Sequence, residues 1–178
     1  MNETNEKTYW KPLSRISLAA GVISALVFWL HAATDKDKFL LLDYVNLVFH
    51  EFGHLLFGFF GERISIYGGT ISQLAFPIIF LANFYLRREI AGAAFSAFWF
   101  GENLLNISVY IADARNMLLP LVGGGEHDWN IILSGLNMLG YDEVIAGIVR
   151  TSGWLIMVSA IIWFVITGLK AKSACKES

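Results

Sequence analysis

His50-Glu51-Phe52-Gly53-His54 is an HExxH motif set in an apolar stretch. On a helix, residues four apart share a face, so His50 and His54 can turn two imidazole nitrogens toward one metal ion. Glu51, one residue along, can reach a water held at an open zinc position and act as its general base. The flanks 47–49 and 55–57 are apolar, and ionisable residues in hydrocarbon are costly without partners or work to do. Histidines buried against one another or against backbone are the plainer alternative, and the HExxH pattern favours a metal site.

A catalytic zinc takes three protein ligands and keeps a fourth position for water. Three residues compete for the third place. Asp128 follows Gly123-Gly124-Gly125-Glu126-His127 and precedes the apolar run at 131, where it could equally cap a helix. Asp113 ends another apolar stretch and emerges beside the end of the motif helix if the two run in the same direction; its alternative is a local pair with Arg115. His127 is itself a competent ligand. Glu102, Asn103 and Asn106 are predicted to line a polar interior, where they would bind substrate or an oxyanion, or else hold helices together.

The elements that must position these groups read as membrane helices. Of the 178 residues 56% are hydrophobic and only 16% charged, and mean hydropathy is +0.55. That composition belongs to a membrane protein rather than a soluble one. Five stretches approach the roughly 20 apolar residues that cross a bilayer: 16–33, 39–60, 74–86, 90–112 and 151–169. Between the last two, 117–122 and 131–139 are too short to span, which allows a re-entrant or interfacial segment, or a sixth crossing made by 117–139 together. The fold class is therefore an all-α polytopic membrane protein of five to six transmembrane helices, in one domain over 1–178 with polar tails at 1–14 and 170–178. The first apolar run is too long for a signal-peptide core and reads as a retained anchor.

Residues 61–69 look different: Gly61-Glu62-Arg63 breaks the helical pattern, and Ile64, Ile66 and Tyr67 interleave with Ser65 before Gly68-Gly69. This predicts a short strand or hairpin, whose edge could hold an extended substrate, or an ordinary surface turn. Orientation is contradictory in a five-span chain, because Lys7, Lys11 and Arg15 favour an inside N-terminus while Arg87-Arg88 and the C-terminal lysines favour the reverse. A net charge of −2 with no basic cluster excludes nucleic acid as a partner. Cys175 is the only cysteine, so neither a disulfide framework nor a cysteine zinc cage is available.

With its HExxH inside a spanning helix, the chain resembles the site-2 protease class of intramembrane zinc metalloproteases. The resemblance implies Zn2+ held by His50, His54 and a distant aspartate, with Glu51 activating water to hydrolyse peptide bonds within or next to membrane segments. The family's aspartate follows an Asn-x-x-Pro segment and lies in Leu-Asp-Gly. Here Asn116-Met117-Leu118-Leu119-Pro120-Leu121 is similar to that lead-in with one extra residue, Leu-Asp-Gly is absent, and Asp128 comes eight residues after Pro120. The resemblance, together with the glycines that would let the chain fold back, favours Asp128 over Asp113 and His127. Implied partners are the lipid bilayer and a membrane-protein or peptide substrate, and the implied place is a prokaryotic cell membrane. Two other readings differ in class: a membrane scaffold or regulator with a structural or vestigial HExxH, and a zinc hydrolase acting on lipid or another amide.

Overall fold

The computed structural model describes residues 10–34, 41–121 and 126–177. The charged residues 35–38 and the glycines 123–125 lie outside them. Six helices follow in order: α1 (Arg15–Thr34), α2 (Leu41–Gly58), α3 (Glu62–Leu86), α4 (Ile90–Ala112), α5 (Asp128–Gly135) and α6 (Asp142–Glu177), with a 3-10 turn at Leu139–Tyr141 before the last. Among the described residues there is no strand.

The hairpin predicted for 61–69 is therefore replaced by the first turns of α3. Gly61, at φ 109°, supplies the tight reversal after α2, a backbone conformation open to glycine at little cost. Gly68 and Gly69 are not turn residues but contact residues. A Cβ on Gly68 would lie 2.7 Å from the Gly53 carbonyl oxygen, so α2 and α3 meet backbone to backbone. Pro77 also lies within α3, which continues through it to Leu86. A continuous helix keeps its backbone groups bonded internally, which outweighs the β-branched and glycine content that suggested a strand or turn.

Three helices are long and apolar enough to cross a membrane: α1, α3 and the segment Leu139–Lys172 containing most of α6. α2 and α4 fall short on hydropathy because they carry the polar residues of the interior. The burial pattern of α2 is inverted relative to a soluble helix. Asp43, Asn46, His50 and Gly53 are buried, whereas Val48 is 66% and Leu55 73% exposed. Polar residues inside and aliphatic ones outside fit a hydrocarbon surrounding, since in water the stripe would face the other way.

Contacts give the directions. Asn46 meets Trp99 and Glu102, and Gln73, which faces His50, meets Asn106, so α2 runs parallel to α4. Phe80 packs on Trp99, and a Cβ on Gly92 would strike Phe84, so α3 runs antiparallel to α4. α6 also opposes α4, crossing where Gly101 and Gly153 face each other and a Cβ on either would come within 2.8 Å of the other's carbonyl oxygen. α1 lies along α6 through Phe164 against Gly21 and Trp29 against Trp154, which aligns it with α2 and α4. α4 is the central helix, with twelve buried residues.

The sixth crossing is not formed. α5 has eight residues, about 12 Å of helix, and it packs Leu133 against Ile107, Ile111 and Ala146 at one end of α4 and α6. The stretch from 170 that reads as a polar tail continues α6 as far as Glu177.

Candidate metal centre

The i, i+4 spacing on α2 sets His50 and His54 side by side, ring centroids 4.7 Å apart. Each Nδ1 is tied to an oxygen. His50 Nδ1–H donates to Gln73 Oε1 at 3.2 Å, and the Gln73 amide is oriented by donating its own Nε2–H to Asn106 Oδ1 at 2.8 Å. His54 Nδ1–H donates to the Ser65 carbonyl oxygen at 2.9 Å, while Ser65 Oγ–H donates to the His54 carbonyl at 2.9 Å. These bonds fix the tautomer and present both Nε2 atoms inward, as outer partners of metal-ligating histidines do.

Both Nε2 atoms face Asp128. Its Oδ2 lies 2.9 Å from His50 Nε2 and 3.1 Å from His54 Nε2, and the three ligand atoms lie within 4.8 Å of one another. With the Nδ1 protons committed outward, two imidazole lone pairs and a carboxylate meet at one point. They repel unless something positive stands between them, either protons on the rings or a cation. Where the rings carry those extra protons, burial pushes the Asp128 carboxyl up but hydrogen bonds from His50 and His54 outweigh it and hold the carboxyl below its usual range. α3 leaves room at this point. A Cβ on Gly69 would lie 2.6 Å from His50 Nε2 and 2.7 Å from His54 Nε2, so only glycine keeps that side clear. Two imidazoles and a carboxylate with anchored outer nitrogens suit a divalent metal.

The chain delivers Asp128 from the far side. The main-chain N–H of Asp128 donates to Tyr110 Oη at 3.1 Å, and Asn130 Nδ2–H donates to the Ala114 carbonyl at 2.8 Å. These bonds pin the start of α5 to the end of α4. The cap of α5 is His127, whose Nδ1 accepts from Asn130 N–H at 3.2 Å; Asp128 is not the cap and is left to face the histidines. Asp113 and His127 are turned elsewhere. Asp113 accepts from the N–H groups of Leu118 and Leu119, both at 2.9 Å, and its Oδ2 lies 3.4 Å from His127 Nε2. The pair predicted between Asp113 and Arg115 is absent, because Arg115 reaches Asp142 at 2.7 Å.

Glu51 lies beside the histidines on the wall of a cavity of about 760 Å³, shared with Asn106, Tyr110, Leu119, Pro120 and Asp128. Of Glu102, Asn103 and Asn106, only Asn106 lies on the wall of this cavity. Glu102 and Asn103 are fully buried beyond the cavity wall. Asn46 bridges there, donating to Glu102 Oε2 at 2.9 Å and to Asp43 Oδ1 at 3.3 Å, while Trp99 Nε1–H donates to Asn46 Oδ1 at 2.8 Å. Asn103 donates back to the Trp99 carbonyl within its own helix.

Sequence reasoning did not single out Asn46, Ser65, Gln73 or Tyr110. A polar stripe at 43, 46 and 50 on α2 was available as a signal, as was the pair Ser72-Gln73 inside an apolar run; nothing in the sequence marked Tyr110. Compared with protein-family models, curated proteins and solved structures, the chain matches none.

Proposed function

We propose that this chain is a zinc-dependent intramembrane endopeptidase of the site-2 protease kind, a multi-pass protein of a prokaryotic cell membrane. What carries the reading is the convergence of His50, His54 and Asp128 on one point in the wall of a cavity that also holds Glu51. These three residues would hold the ion, with Gln73 and the Ser65 carbonyl orienting the rings. Zinc bound there supplies Lewis acidity to the scissile carbonyl and lowers the pKa of a water. Glu51, on the cavity wall beside the ligands, would act as general base toward the attacking water and as general acid toward the leaving amine. Tyr110 keeps its hydroxyl proton in the cavity, since its oxygen already accepts from Asp128 N–H, and offers it to the carbonyl oxygen of the substrate. The inverted polarity of α2 supports a bilayer setting for this chemistry.

The test is cleavage of detergent-solubilised single-span peptides by purified, zinc-loaded protein and by Glu51→Gln. Zinc-dependent cleavage lost in the variant is expected. Equal cleavage by both would remove Glu51 from the mechanism, and turnover of acyl lipids but not peptides would redirect the reading to a lipid hydrolase. A protein that binds no zinc and cleaves neither would be a scaffold.

A further inference from the structure

We infer that Asn106 binds substrate: its side-chain amide donates to a backbone carbonyl of a peptide lying extended along α4, two residues from the carbonyl that meets Tyr110. The inference deepens the endopeptidase reading proposed above and rests on it.

The polarity of three side chains leads there. His50 presents Nε2 to Asp128, so its proton sits on Nδ1 and Gln73 receives it through Oε1 at 3.2 Å. That turns the Gln73 NH2 group toward Asn106, where it donates to Oδ1 at 2.8 Å. An amide that accepts through its oxygen on one side holds its NH2 on the other. Asn106 lines the cavity, and its Nδ2 makes no hydrogen bond among the described residues. The tautomer of His50 thus dictates, through Gln73, which end of Asn106 meets the cavity.

Donors are scarce on that wall. Ser65 Oγ–H is committed to the His54 carbonyl and the Gln73 amide to Asn106, and no Lys or Arg side chain is among the lining residues. The acids Asp43, Glu51, Glu62 and Glu126 can only accept when ionised. Among the described side chains lining the cavity, the donors left open are therefore Asn106 Nδ2 and the hydroxyl of Tyr110, whose oxygen accepts from Asp128 N–H at 3.1 Å. Such a pair calls for a ligand that repeats an acceptor, and the acceptor a peptide repeats is its carbonyl.

The spacing selects the shape of that peptide. Asn106 and Tyr110 are four residues apart on one face of α4, about 6 Å along its axis. In extended backbone, carbonyls on one side recur every two residues, roughly 6.8 Å. A helical segment has its carbonyls bonded to its own amides and offers nothing to this pair. With Tyr110 on the scissile carbonyl, Asn106 takes the carbonyl two residues away, farther along the cavity toward Leu47 and Asp43.

Binding without turnover tests this. A single-span peptide cleaved by the zinc-loaded protein supplies the ligand, and its cleavage site supplies the register. Labelled copies, each with a trans-alkene isostere in place of one amide on either side of that site, are titrated into zinc-loaded Glu51→Gln protein in detergent, and Kd is read by fluorescence anisotropy. Losing the carbonyl two residues from the scissile one is expected to weaken binding about three- to tenfold, the range of one hydrogen bond. Adding Asn106→Ala is expected to cost as much with the parent peptide and nothing further with that isostere, yet to keep its full cost with an isostere one residue away. Costs that add for every isostere overturn the inference. So does coupling to the adjacent carbonyl, which points to the opposite side of an extended chain. Asn106→Asp, whose carboxylate still accepts from Gln73 and has no NH2, is expected to show the same coupling and supplies the comparison if the alanine variant does not fold. Zinc affinity, read by chelator competition, is expected to stay within the effect of an outer residue in both variants; loss of zinc that accounts for the weaker binding overturns the donor role. Additive costs on a peptide that is cleaved defeat the role of Asn106 alone, whereas no cleavage of any peptide by the unmutated protein defeats the endopeptidase reading.

Discussion

Two polar clusters lie along the same face of α2, one turn apart, and they differ in what they leave unfinished. Around Asn46, the Asp43 and Glu102 carboxyls and the Trp99 indole are bonded to one amide, at 0–2% exposure for Asp43, Asn46 and Glu102, and of these only Asp43 reaches the cavity wall. Around His50 and His54, the outer ring nitrogens are equally well bonded, but the inner ones converge with Asp128 beside an open cavity. Acids and amides in an apolar run thus serve two ends. Bonded to one another across helices they glue the bundle, and anchored on one side only they present a binding point to the other.

The sharpest challenge to this division is Glu51→Gln, which is expected to keep its zinc and lose about two orders of magnitude or more in peptide turnover. Metal content and rate measured on the same preparation check it, and a variant without zinc would make Glu51 part of the metal site. Next in size is Gln73→Leu, which frees the His50 ring while leaving all three ligands in place. Zinc affinity is expected to fall by about 10–100-fold, read by competition with a chelator. Gly69→Ala is expected to weaken zinc as well, because its Cβ would enter the space beside both Nε2 atoms, while the α2–α3 crossing at Gly53 and Gly68 is untouched. The smallest effect on metal is expected from Asn46→Ala. It leaves two buried carboxyls without their shared donor and should destabilise the protein by about 1–3 kcal/mol in detergent unfolding, with zinc affinity unchanged. A large loss of zinc in Asn46→Ala would merge the two clusters into one functional unit.

The sequence made some of this architecture legible. α1 follows from an uninterrupted apolar run and α4 from one broken only by Glu102, Asn103 and Asn106, and the motif pair on α2 follows from helical periodicity alone. The start of α3 was hidden because its glycines and β-branched residues also describe a turn or strand; only the facing glycine of α2 explains why they sit in a helix. The Asp113–Arg115 pair failed because local spacing does not reveal that α6 brings Asp142 to Arg115. Glu102 and Asn103 are polar residues of a spanning segment, yet rotation about α4 decides that Asn106 faces the cavity and they do not. That rotation is set by Asn46 and Gln73 on other helices. The shared direction of α1 and α2 could not be read from hydropathy, which counts helices and does not order them.

The central claim, that Asp128 completes a metal site with His50 and His54, is tested most directly by zinc affinity in Asp128→Asn and Asp113→Asn side by side. Asp128→Asn is expected to lose more than the roughly 100-fold that an outer residue costs, while Asp113→Asn stays near the native value. Zinc retained by Asp128→Asn and stripped from Asp113→Asn would contradict the account.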